Sequence, residues 1–380
     1  MQQKKILISV GILYSTSGSY GHIGKEMLNG ILLAIDEINQ DSNSTVYLQP
    51  IIYNPEGDLN KYYEYCHKLL HEHQVKHIVG CYTSASRKII LPLIESANAL
   101  LWHSPRYEGF EASYNVIYLG ACPNQNFLPL LDWVYSQQES PQFFHVGSNY
   151  IWSWEMDRIL RESIEENSGQ LLDSQMLRVN DLNVEDIIEK IKILKPTTLL
   201  VTLVGTSAYH FYQALYSALD EATYNNILKL SLTLCEPEVA IQDSCVVEDY
   251  IVSAVWFETL VLSENAEFIK KFNQRFGQDA HPSVDSVMAW VAGHMIANVI
   301  DYTGDNNIDV LKKYISNVRV NTPMGMIQID PENNHTYLKP KFARCQKGNF
   351  NIFWQSNSLF KPDPWLSTAE LQQSNLFKDG

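Results

Sequence analysis

Apolar positions along this chain recur with two alternating periods. KILISVGIL, VYLQPIIYN, VKHIVGCY and ALLWHS are short apolar runs with strand character. Between them, KEMLNGILLAIDEIN, LNKYYEYCHKLLHEH and SRKIILPLIESAN carry apolar residues at three- and four-residue spacing. In the first of these, Met27, Leu28, Ile31, Leu32, Ile35 and Ile38 fall on one side of a helix. Pro92 marks an expected kink in the third. A strand-helix rhythm with short connections predicts a parallel sheet covered by helices on both faces.

A second series follows NVIYLGACPNQ, with helix NQNFLPLLDWVYSQQ, strand QFFHVGSN and helix WEMDRILRESIEEN. Further strand and helix pairs run through TTLLVTLVG, SAYHFYQALYSAL and ILKLSLT, and then strand YIVSAVWF leads to two amphipathic helices, AEFIKKFNQRF and SVDSVMAWVAGHMIANVIDY. The end differs in kind: MGMIQID, YLKPKFARC and NFNIFWQS alternate like antiparallel strands joined by the turns PENN and KGN. The pattern is that of an α/β protein with two doubly wound units. The 380 residues suffice for two cores, since single cores seldom grow far beyond ~250 residues.

Composition narrows the function. Hydrophobic residues make up 45% and charged residues 19%, the range of a globular protein. The net charge of −15, with no cluster among the 28 Lys and Arg, argues against direct nucleic-acid binding. No apolar segment reaches the ~18 residues that span a bilayer. Lys4 and Lys5 ahead of an apolar run outline a secretory leader. The same residues read as a first strand, which the following loop and helix favour; removal of an export signal and a natural start other than Met1 stay open. The six scattered cysteines show no CxxC and fit a reducing compartment weakly.

In open α/β sheets, ligands sit beyond the carboxyl ends of the strands. Four loops there are rich in hydroxyls: YSTSGSYG, YTSAS, SNYIW and VGTSAY. Ser84 or Ser86 at a helix N-terminus suits a ligand carbonyl or carboxylate, and Ser84 equally suits a plain helix cap. Loop aromatics, among them Tyr14, Tyr20, Tyr82, Trp102, Tyr107, Tyr150, Trp152 and Trp154, suit cleft walls or core. Enzyme signatures are missing. No P-loop occurs, GSYGHIG has the wrong glycine spacing for a dinucleotide fingerprint, and GTSAY places Tyr209 where a nucleophile elbow needs glycine. His67 with His71, and His73 with His77, have metal-pair spacing but cannot share one helix face. No cofactor is expected, and the chain reads as a binding protein rather than an enzyme. One enzymatic alternative, an amide-processing pair of Cys81 and His103, is kept for comparison.

GCYTSASRK, YEGFE, ACPNQN, GSNYIW, NNHTYLK and the terminal FWQSNSLFKPDPW, taken in order, resemble the solute-binding proteins for aliphatic amides and urea, and most closely amide sensors of the AmiC type. The resemblance implies a type I periplasmic-binding-protein fold with two interleaved lobes closing on a ligand: residues 1–122 and 254–328 in lobe I, 123–253 and 329–380 in lobe II. It implies that Ser84 and Tyr82 face the ligand from lobe I, and Tyr150, Thr206 and Thr233 from lobe II. Where the family shows a ligand-contacting Tyr followed by Pro, this chain has His103, then Ser104, Pro105 and Arg106. Trp152 with Ser153, and Leu234 with Cys235, likewise depart from the pattern. His103 and Arg106 are therefore expected to give the pocket positive character, the alternative being that Arg106 pairs with Glu108 or Glu111.

The function implied is a cytosolic sensor of a small polar ligand that regulates an RNA-binding antiterminator. The alternative is an exported, periplasmic solute-binding protein that delivers such a ligand to an ABC permease. A homo-oligomer stays open in both.

Overall fold

A computed structural model describes residues 5–366. Residues 1–4, with Lys4 of the leader-like outline, and residues 367–380 of the second expected lobe lie outside the described residues. The chain opens with β1 (Ile6–Leu13), α1 (Gly21–Gln40), β2 (Val46–Tyr53), α2 (Leu59–His71), β3 (His77–Gly80), α3 (Ser84–Ser96), β4 (Leu100–His103) and β5 (Val116–Tyr118). There follow α4 (Phe127–Gln137), β6 (Gln142–Ser148), α5 (Ile151–Glu166), β7 (Gln170–Leu177), α6 (Glu185–Leu194), β8 (Thr198–Thr202), α7 (Thr206–Ala218), α8 (Glu221–Asn226), β9 (Leu228–Ser231), α9 (Glu236–Val239) and β10 (Ile251–Ala254). The chain continues with α10 (Ser263–Phe276), α11 (Val284–Thr303), α12 (Ile308–Tyr314), β11 (Arg319–Thr322), β12 (Gly325–Gln328), β13 (Lys341–Gln346) and β14 (Asn349–Gln355).

These elements form two compact units. Among the described residues the first comprises 5–107, 111–121 and 260–338; the second comprises 108–110, 122–259 and 339–366. The later junctions thus fall at 259/260 and 338/339, where 253/254 and 328/329 were expected. Residues 255–259 stay with the strand they follow: Glu258 N–H donates to Glu236 and Thr259 Oγ1 to the Phe350 carbonyl.

Unit 1 holds a parallel sheet in the order β2-β1-β3-β4-β5. Helices α1 and α11 pack together against it at a notch of small residues. A Cβ on Gly30 would lie 2.1 Å from the Ser286 carbonyl oxygen, and one on Gly293 would lie 2.8 Å from the Ala34 Cβ. The expectation of an amphipathic helix at α11 needs correction: its residues from Val284 to Gly293 are all buried. Ser283 caps it in reciprocal bonds with Ser286. The hairpin β11-β12 completes the unit, and β11 was not anticipated because RVNT carries little apolar signal.

Unit 2 has a seven-stranded sheet ordered β14-β13-β10-β9-β8-β6-β7. Strands β6 to β10 run parallel, while β13 and β14 are antiparallel additions. Lys347 and Gly348 both take positive φ in the two-residue turn between them, as the KGN signal requires. YLKPKFARC becomes a strand only from Lys341, because Pro340 has no N–H to give to a ladder. After β14 the chain returns as a strap: Asn124 and Gln125 donate to the carbonyls of Lys361 and Phe360, Asp363 N–H donates to Asn124, and Arg158 donates to the Leu366 carbonyl.

Gly30→Ala is expected to destabilise the protein by about 3 kcal/mol, since α1 and α11 must separate to admit the methyl group. A urea titration followed by circular dichroism measures it.

Candidate functional site

Both parallel sheets start in an interior strand and reverse direction of growth. In unit 1 the reversal lies between β1 and β3, and in unit 2 between β6 and β8. The loops leaving these strands diverge to opposite faces, which opens a crevice at their carboxyl ends. The four hydroxyl-rich loops singled out in the sequence are the loops that follow β1, β3, β6 and β8.

On the unit 1 rim, Tyr14 is buried and shares a 2.7 Å hydrogen bond with Ser104. Cys81 adopts φ 66°, a left-handed conformation strained for a side chain, and so turns the chain from β3 into α3. Tyr82 follows, its ring 5.1 Å from that of Tyr20. The helix cap is Thr83, in reciprocal bonds with Ser86; Ser84 is the first helical residue and is not the cap. Ser84 is buried beside this turn. Pro105 is buried with its carbonyl against Gly120, where a Cβ would lie 2.0 Å from the oxygen.

His103 corrects one expectation. It is fully buried, accepts from Arg87 Nη1 at 3.1 Å through Nε2, and turns Nδ1 toward the Gly80 carbonyl at 3.4 Å. Burial, with the Arg87 charge adding to it, holds its pKa well below the ordinary value, so it contributes no positive charge. The cation beneath the rim is instead Arg87, which has no solvent exposure. Its Nε donates to Glu111 Oε1 at 2.8 Å, its Nη2 reaches Oε2 at 3.4 Å, and its guanidinium lies 5.0 Å from the Tyr107 ring centroid. Tyr118 and Lys88 also donate to Glu111, at 2.8 and 2.9 Å. Burial would raise the Glu111 pKa, but Arg87 and Lys88 bring it down to about 2. Arg106 Nη2 lies 3.4 Å from Asp285 Oδ2, and burial raises the Asp285 pKa while Arg106 opposes the shift.

The alternative enzyme pair sits in surroundings that do not activate it. Burial pushes the Cys81 thiol up to about 12, the opposite of what a nucleophile needs, and the His103 ring is engaged by Arg87 and Gly80. Among the described residues no group of three His, Cys, Asp or Glu is placed to hold a metal.

With this geometry in place, the sequence matches the periplasmic binding protein domain family over residues 8–371, nearly the whole chain. The chain belongs to that family. Solved structures with this fold include a solute-binding protein of an ABC transporter from R. palustris in complex with benzoate (15% identity, TM-score 0.84, covering 95% of this chain and 99% of that one). Another is the branched-chain amino acid binding protein LivJ from Streptococcus pneumoniae with isoleucine (14%, TM-score 0.78, 94% and 100%). A leucine binding protein, LivK from Thermotoga maritima, is similar (14%, TM-score 0.76, 92% and 99%). At such identities the likeness establishes the fold. A curated relative, limonene hydroxylase of Geobacillus stearothermophilus, is 25% identical over 123 residues; the match spans 32% of this chain and 22% of that protein.

Unit 2 of this periplasmic binding protein presents the remaining candidates. Tyr150 is the N-cap position of α5 and stacks on Trp152 at 6.3 Å. Trp152 itself is buried in an apolar cluster with Phe127, Met156 and Leu230. Thr206 opens α7, is exposed, and donates to Asn180 at 3.0 Å. Thr233 is buried, its hydroxyl donating to the Leu203 carbonyl at 2.8 Å. Cys235 stands at the N-cap position of α9, its thiol donating to the buried Glu238 at 3.7 Å. Below them His145 bridges Asp157 at 2.9 Å and Thr202 at 2.8 Å. This Thr-His-Asp series is sealed: His145 and Thr202 have no exposure, and burial lowers the His145 pKa although Asp157 opposes it. It joins β6, β8 and α5 beneath the loops that carry Tyr150 and Thr206. Sequence reasoning did not single out Arg87, Asp285 or Glu238, which had no spacing to mark them, and it named Glu111 only as an alternative partner for Arg106.

Glu111→Gln leaves Arg87 buried without its counter-charge and is expected to destabilise the protein by about 3 kcal/mol at neutral pH. The Glu111 pKa is lowered from 4.5, so its contribution is complete above that value and is lost as pH falls toward about 2. The variant's urea midpoint is therefore expected to fall less than the parent's across that window.

Proposed function

We propose that this protein is a non-catalytic solute-binding protein that closes on a small polar ligand and delivers it to an ABC importer. The observation that carries the reading is the family match along nearly the whole chain, joined to hydroxyl-rich loops at the reversal points of both sheets. The solved neighbours, in complex with benzoate or isoleucine or binding leucine, support delivery to a permease as the role. This reading puts the working protein outside the cytoplasmic membrane.

The rims suit a ligand with one polar end. Ser84 beside the start of α3, Tyr82 and Tyr150 offer hydroxyls, and the amides of the α3 turn offer donors. Amides and urea fit that set, in keeping with the resemblance of the GCYTSASRK and GSNYIW segments. The sensor reading, in which the same ligand biases a regulatory partner, has one feature in its favour: the terminal FWQSNSLFKPDPW segment, which forms the strap on unit 2. A ligand shifts such an equilibrium only by its difference in affinity between two states.

Thermal-shift and calorimetric titration with acetamide, urea, benzoate, 4-hydroxybenzoate and branched-chain amino acids tests the proposal. At a concentration of ~100 Kd, a ligand held only by the native state adds about 2.7 kcal/mol of stability, a readily measured rise in the midpoint. Ser84→Ala is expected to weaken the best ligand by about tenfold through loss of one hydrogen bond. Turnover of a bound amide, seen as ammonia release, would sink the non-catalytic reading.

A further inference from the structure

We infer that Lys341 and Ser253 are positioning residues for closure: at the end of β10 they hold the roots of the three chain crossings between the units, so that bending is confined to residues beyond those roots. This rests on the solute-binding reading above and assigns residues to its closing motion.

Apart from the short segment 108–110, the chain passes between the units at 121/122, 259/260 and 338/339. Strand β10 leads into the second crossing and β13 follows the third, and the two strands are antiparallel, with Ala254 opposite Lys341. The end of one and the start of the other therefore lie side by side. They stand at the same edge of the sheet as the loops that carry Tyr150 and Thr206, because β10 runs parallel with β9, β8 and β6. Here Lys341 is 3% exposed, and its ammonium donates to the Val255 carbonyl at 2.8 Å and to the Lys339 carbonyl at 3.1 Å. One carbonyl belongs to each crossing segment. Ser253, also buried, donates to the Asn126 carbonyl at 2.8 Å, in the segment that has just entered from the first crossing. Two side chains thus fasten all three segments around the end of β10.

A buried ammonium is costly unless its charge is answered. Among the described residues no carboxylate pairs with Lys341, and burial brings its pKa down to about 8, with the Lys339 charge adding to the shift. A methionine of similar length would fill the space without that cost, so the ammonium is explained by the two carbonyls it holds. The surrounding chain is stiff up to the same points. Pro340 has a fixed φ, and its carbonyl accepts from Ser356 N–H at 2.9 Å. Val255, Trp256 and Phe257 are buried, and Glu258 and Thr259 are held through Glu236 and Phe350. Just past Thr259 the side chains turn to solvent, Val261 being 93% exposed. Fastened roots make the crossings turn together rather than one by one, so less chain has to be ordered when the protein closes.

Two variants test the pivot, Lys341→Met, which keeps length and loses the donor, and Ser253→Ala, which removes one hydroxyl. Amide hydrogen exchange is measured on the unliganded full chain, and binding of acetamide, urea, benzoate and isoleucine is then measured by calorimetry. Lys341→Met is expected to speed exchange of the Glu258 and Ser356 N–H groups by about tenfold, the scale of one lost hydrogen bond, with the amides of β6 and β8 unchanged. Ser253→Ala is expected to do the same for Gln125 and Asn126, whose N–H groups bond to the carbonyls of Cys122 and Pro123. The tightest binder of the four compounds is expected to bind each variant about fivefold more weakly, with its binding enthalpy retained and the loss carried by entropy. Faster exchange that extends through β6 and β8 marks both residues as general props and overturns the pivot. Unchanged exchange in folded variants, affinity equal to the parent's, or a loss carried by enthalpy overturns it as well. Ser253→Ala decides alone where Lys341→Met does not fold. A parent that binds none of the four compounds overturns the solute-binding reading, and the closing motion with it.

Discussion

A parallel strand cannot hand the chain directly to its neighbour; the backbone must first return along the whole length of the sheet, and here helices make that return. All carboxyl ends therefore gather on one edge of each sheet, and the loops that leave them are free of the packing that fixes the strands. Because each sheet begins in an interior strand, one pair of adjacent loops must part to opposite faces. The hydroxyl-rich loops lie at those partings, with a strained Cys81 at one turn and the buried Arg87–Glu111 pair beneath.

The buried charges explain how such loops hold a shape. Arg87 lies one turn into α3, and Glu111 lies beyond the loop that carries Ser104, Pro105 and Arg106. Joining them ties the start of α3 to that loop from below, with Tyr107, Tyr118 and His335 stacked around the pair. The arrangement in unit 2 is analogous in role and different in chemistry: a neutral histidine held between Asp157 and Thr202 joins two strands and a helix. Each network lies buried beneath the loops and ties together the elements that carry them.

How far the sequence was legible follows from the range of each interaction. The alternation of apolar runs and helical spacing identified most elements and the class of the fold, because those signals are local. The hydroxyl loops were legible for the same reason, small polar residues standing directly after an apolar run. The charge pairs were not: Arg87 finds Glu111 24 residues away and Arg106 finds Asp285 179 residues away. Without that knowledge His103 looked like a source of positive charge, whereas the structure spends it as an acceptor for a buried guanidinium. Trp152 looked like a pocket wall, and its indole packs among Phe127, Met156 and Leu230, since an aromatic at the start of a helix can turn inward as readily as outward.

The strap and the interrupted units bear on how the chain comes to be folded during synthesis. The first unit lacks α11, its principal helix partner, until the ribosome has passed residue 303, and the second lacks the carbonyls that hold Asn124 and Gln125 until residues 360 and 361 have been made. Neither unit can mature far ahead of the other, although domains commonly fold in order from the N-terminus at ~5–20 residues per second of translation. A nascent chain of this design carries two open sheets through the middle of its elongation, which makes exposed strand edges a hazard against which its biogenesis has to be protected.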